Sequence, residues 1–119
     1  MSLLAEIKET GMTQRLIYMT TGSKDEAERI GRALVEERLA ACVNIIEGMR
    51  SMYWWEGAVQ EEAETVLIAK TTAERVAALT ERVKALHAYD TPCVIALPIE
   101  GGNQDFLAWI QAETTPGPR

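Results

Sequence analysis

The chain is poor in the residues that most often carry chemistry. Its 119 residues include one histidine, two cysteines and one phenylalanine. The single histidine, His87, rules out a multi-histidine metal cage within one chain. Cys42 and Cys93 are too few for a disulfide framework. Both lie in apolar, strand-like runs, so they read as buried free thiols of a reducing compartment, and a cytoplasmic location is expected. No run approaches the roughly 18 apolar residues of a membrane span. The opening residues lack a charged stretch ahead of an apolar core, so no secretory signal is expected in them. There is no Cys-x-x-Cys pair, acidic metal loop, P-loop, internal repeat or low-complexity linker. Basic residues are also scarce, 12 against 18 acidic ones, for a net charge of −6 and a pI near 4.8. That balance argues against nucleic acid or an anionic membrane as a partner.

What is present suits one compact domain. Hydrophobic residues make up 47% and charged residues 25%, enough for one core at this length. Residues 1–13 carry Leu3, Leu4 and Ile7 at helical spacing and read as an N-terminal extension. The domain proper is expected over 14–113, and the breaker-rich tail 114–119 is expected to be disordered.

Within the domain the hydrophobic period alternates. Leu16-Ile17-Tyr18-Met19 is apolar on both faces, as in a central strand. Ser23-Lys24-Asp25-Glu26 matches a capping box, and Ala27, Ile30, Leu34 and Val35 continue as a helical stripe ending near Leu39. Cys42 to Trp55 reads as one long strand interrupted by Gly48, with Glu56-Gly57 as the turn and Ala63–Ile68 as the returning arm. Thr71-Thr72-Ala73-Glu74 is a second capping box, opening a helix with Val76, Leu79, Val83 and Leu86 at 3-4-3 spacing. Thr91-Pro92 stops the chain, Val94–Leu97 is a last strand, and Gly101-Gly102-Asn103 introduces a helix bearing Phe106, Trp109 and Ile110. The order βαββαβ plus a terminal helix predicts an α+β, ferredoxin-like fold with two helices on one face of the sheet.

Lengths then predict an assembly. A strand from Cys42 to Trp55 extends roughly 45 Å, whereas a helix of about 16 residues covers only roughly 24 Å. The end carrying Met52, Tyr53, Trp54 and Trp55 overhangs the helices, and each exposed ring forgoes burial worth roughly 2–3 kcal/mol. A long unpaired edge is also a liability. A partner subunit covers both. The competing expectation is that the terminal helix folds back over the hairpin, or that Gly48 bends the hairpin onto its own domain.

Chemistry is thinner. His87 follows the second helix and most simply binds helix-end carbonyls. As a metal ligand it needs a thiol, a carboxylate or symmetry-related copies, and copper(I) would favour Cys42, Cys93 or methionine sulfur. The Thr20–Lys24 turn could offer amides to an anion, although ordinary capping accounts for it. Lys70 is expected to pair with Glu61, Glu62 or Glu64.

Several motifs together resemble the CutA divalent-cation tolerance family. They are Ala33–Asn44, Tyr53-Trp54-Trp55-Glu56-Gly57, Lys70-Thr71-Thr72, His87–Pro92, Ala96-Leu97-Pro98-Ile99, Gly102-Asn103 and Phe106–Ile110. The resemblance implies a ferredoxin-like subunit in a homotrimer, with long hairpins joining sheets between subunits. It implies a non-catalytic part in tolerance of or response to divalent metal ions, copper among them, and a likeness to the trimeric PII signalling proteins. In the family's copper-binding pattern a cysteine ends the first strand and two histidines end the second helix. Thr21 and Leu86-His87 stand there in this chain. His87 and Cys42 are accordingly the metal candidates, and no cofactor beyond copper or another divalent ion is implied. A PII-like sensor would hold a small ligand at subunit clefts, where Lys70, Tyr89, Trp55 and Glu61 bring charge and aromatic groups near the hairpin. An acylphosphatase-like enzyme on the same fold needs an arginine in the loop after the first strand. Thr20 to Lys24 contains none.

Overall fold

A computed structural model describes residues 13–116. The expected N-terminal extension falls outside the described residues except for Thr13. The elements are β1 (Gln14–Thr21), α1 (Lys24–Glu36), β2 (Cys42–Trp55), β3 (Ala58–Thr72), a 3-10 turn (Ala73–Arg75), α2 (Val76–Leu86), β4 (Val94–Pro98) and α3 (Gln104–Glu113). The strands form one antiparallel sheet in the order β2-β3-β1-β4. This is the α+β, split βαβ arrangement that the alternating periods predict.

The core lies between the sheet and the first two helices. Ile17, Met19, Leu67 and Ala69 point from the sheet into Ala27, Ile30 and Leu34 of α1 and Leu79 and Val83 of α2. Gly31 permits the close approach of α1, because a Cβ there would come within 3.0 Å of Val43. The helix α1 ends earlier than its apolar stripe suggests. Arg38 takes a left-handed φ of 57°. The Arg38 and Leu39 N–H groups donate back to the Val35 and Leu34 carbonyls, a Schellman closure built without the usual glycine. Leu39 then packs in the same cluster as Leu34.

The second capping box does not form. Thr72 makes no side-chain cap, and the Thr71 hydroxyl instead donates to the Leu39 carbonyl at 2.6 Å in a buried tie between β3 and the end of α1. A 3-10 turn precedes α2 as a result.

The hairpin turns on Glu56 and Gly57, both at positive φ (52° and 78°), which matches the right-handed twist of its arms. Its second arm is longer than the apolar run suggested, because residues 58–62, with Gln60, Glu61 and Glu62 among them, continue the ladder from Trp55↔Ala58 to Ser51↔Glu62. Between Ile46↔Val66 and Met49↔Glu64 the register shifts, with Gly48 at φ 84°. Two residues of β2 there face one of β3, and the bulge reverses which side chains face which way. Before it, Asn44 and Ile46 share the open face of the sheet with Tyr18. After it, Met49, Tyr53 and Trp55 do.

The helix α3 does not reach the hairpin. Leu107 and Ile110 pack against Ala41 and Ile99, and the Gln14 side chain donates to the Leu107 carbonyl at 3.0 Å. That places α3 on the open face at the end remote from the turn. Trp54 and Trp55 stay 74% and 53% exposed, and Ile46 and Ile95 on the open face 52% each. Thr114, just past α3, is buried and donates to the Ile110 carbonyl at 2.8 Å.

Candidate functional site

The end of β1 organises a polar cluster. Ser23 caps α1, its hydroxyl accepting the Glu26 N–H at 3.1 Å. The Glu26 carboxylate does not close the box onto Ser23. One oxygen accepts the Gly22 N–H at 2.9 Å and the other the Ala88 N–H at 2.8 Å, joining the start of α1 to the loop after α2. Burial alone would push the Glu26 pKa up. The two amides, reinforced by Arg29, outweigh it and hold the group below the ordinary 4.5.

His87 closes α2, its N–H donating to Val83, while its ring leaves the helix and reaches the Thr20 carbonyl of β1. The ring is fully buried. Its Nε2 lies 2.8 Å from that carbonyl, which can only accept, so Nε2 carries the proton. Nδ1 accepts the Tyr89 N–H at 3.0 Å, with a Glu26 oxygen 3.6 Å away. Both nitrogens of the neutral imidazole are thus committed, and a metal ion would have to displace one of these bonds.

The Tyr89 ring lies against His87 at 4.6 Å, and its hydroxyl donates to Glu64 at 3.0 Å. Burial and the Glu64 charge push the phenol pKa well up. Burial, then Glu64, pushes the Cys93 thiol up as well. Tyr89 borders a groove of about 900 Å³ between the loop at 88–93 and the open face of the hairpin, where Tyr53, Trp55, Glu62 and Glu64 line it.

The structure therefore joins two of the four cleft candidates, Tyr89 and Trp55. Glu61 points to the other face of β3 and pairs with Arg50. Lys70 lies far along β3 on the same arm as the three glutamates, about 20 Å from Glu64 at strand rise. It donates instead to Asn44 at 2.6 Å and sits 5.9 Å from the Phe106 ring. Of the metal candidates, Cys42 pairs with Lys70 at the start of β2, on the order of 15 Å from the strand end that holds His87. One subunit does not bring them together. Among the described residues no three His, Cys, Asp or Glu side chains group to hold a metal ion. Met52, Tyr53, Trp54 and Trp55, the expected interface residues, are all exposed.

Three carboxylates, Glu26, Glu62 and Glu64, were not read as residues of this site in the sequence. Glu26 carried a signal, its capping box, but its bond to Ala88 joins residues 62 apart. Glu62 and Glu64 stand two apart in an acidic run and so share one strand face, but only a strand longer than its apolar core reveals it.

Comparison with known proteins agrees with this architecture. The model of the CutA1 divalent ion tolerance protein family matches residues 15–113. The Divalent-cation tolerance protein CutA of Thermus thermophilus is 48% identical over 101 residues, 85% of this chain and 98% of that protein. Its solved structure superposes with a TM-score of 0.84, covering 86% of this chain and 99% of that one. The CutA1 structure from Oryza sativa, 47% identical, gives a TM-score of 0.86 over 91% of this chain and 99% of that one. The full rice protein, named Protein CutA 1, chloroplastic, is longer, and the match spans 62% of it. The Archaeoglobus fulgidus structure, described as a periplasmic divalent cation tolerance protein, is 45% identical with a TM-score of 0.83, covering 86% of this chain and 99% of that one. With the sheet order, the long hairpin and the sequence match all in agreement, this chain belongs to the CutA1 divalent ion tolerance protein family.

Proposed function

We propose that this chain acts in tolerance of divalent metal ions, copper included, as a non-catalytic homotrimer whose hairpins pair between subunits. The observation that carries the assembly is the open sheet face. Its apolar residues and the Met52–Trp55 arm have no cover within the subunit, and such patches mark interfaces. Family membership, with relatives named for divalent-cation tolerance, supports the role. The absence of an arginine between Thr20 and Lys24 disfavours the acylphosphatase-like alternative. Free Cys42 and Cys93 favour a reducing cytoplasm, although the rice and Archaeoglobus relatives are named for the chloroplast and the periplasm.

On this reading direct copper binding is weak. His87 must give up Thr20 or Tyr89 to bind a metal, and Cys42 lies elsewhere in the subunit. Calorimetric titration of wild type, His87→Ala and Cys42→Ala with copper tests it. Tight binding that survives both substitutions would refute it.

A second reading, a PII-like sensor of a small ligand at the subunit clefts, is favoured by one observation, the groove that joins Tyr89 and Trp55. Thermal stabilisation by nucleotides, organic acids or other small organic ligands, with none from metal ions, would favour the sensor.

A further inference from the structure

We draw no further inference here: the strongest candidate, the groove lined by Tyr53, Trp55, Glu62, Glu64 and Tyr89 between the loop at 88–93 and the open sheet face, belongs to the surface already assigned to the subunit interface, and nothing in the structure shows what covers it.

Discussion

Glu26→Ala is the sharpest test of how this subunit is held together. The carboxylate joins α1, the end of β1 and the loop after α2 through the Gly22 and Ala88 amides at 2.9 and 2.8 Å. Hydrogen bonds to a charged group contribute about 1.5–3 kcal/mol each. Gly22 and Ala88 are themselves exposed residues, so water recovers part of the loss and the lower end applies. The expected cost is about 3 kcal/mol at neutral pH. Glu26→Gln keeps an acceptor for one amide and should cost about half as much. Because the folded pKa lies below the ordinary 4.5, the carboxylate's contribution is complete above that value and disappears as pH falls through the folded pKa. The gap between wild type and Glu26→Gln should therefore shrink on acidification below pH 4.5. Urea unfolding followed by tryptophan fluorescence, at one fixed protein concentration because assembly contributes to stability, gives both numbers. A neutral-pH loss under about 1 kcal/mol for the alanine variant, against the size of even one such bond, would refute the bridging role. So would a gap that widens in acid.

Light scattering should report about three times the 13.2 kDa chain mass, and a folded monomer at micromolar concentration would end the trimer reading. Joint replacement of Trp54 and Trp55 by Ala should dissociate that assembly, since buried aromatic truncations cost about 3–5 kcal/mol each; an unchanged mass and melting temperature would show the rings are not interfacial. Thr71→Val removes the buried bond to Leu39 and should cost about 1–2 kcal/mol in chemical denaturation; no loss would mean the tie is dispensable. Burial and Glu64 raise the half-buried Cys93 thiol above its ordinary 9.0, so alkylation near neutral pH should be slower in the native protein than after unfolding. The same shift takes stability away as pH climbs past 9.0, and labelling of the native protein at the rate of a free thiol would contradict the burial.

Much of the fold was legible because period and punctuation are local signals. Ser23 before Ala27, Ile30 and Leu34, the Glu56-Gly57 turn, and Leu79 and Val83 on one helical face all placed their elements from neighbours a few residues away. The failures were of two kinds. Arg38 ends α1 in a conformation that its side chain does not advertise, and Thr71 gives its hydroxyl to Leu39, 32 residues distant, instead of to a cap. In the second case a tertiary contact overrode a local preference, and in the first a closure local to the helix end formed without the glycine that usually signals it.

The candidate site was less legible because its parts meet only across the fold. Tyr89 and Glu64 are 25 residues apart and His87 and Thr20 67 apart, joined where the end of β1 passes between the loop and β3. The sequence alone determined the element order, the overhanging aromatic arm and the family. Which face Tyr53 and Trp55 occupy, and hence that a groove exists, was decided by the bulge at Gly48. The side-chain period of a strand is two, and one extra residue in the ladder exchanges its faces.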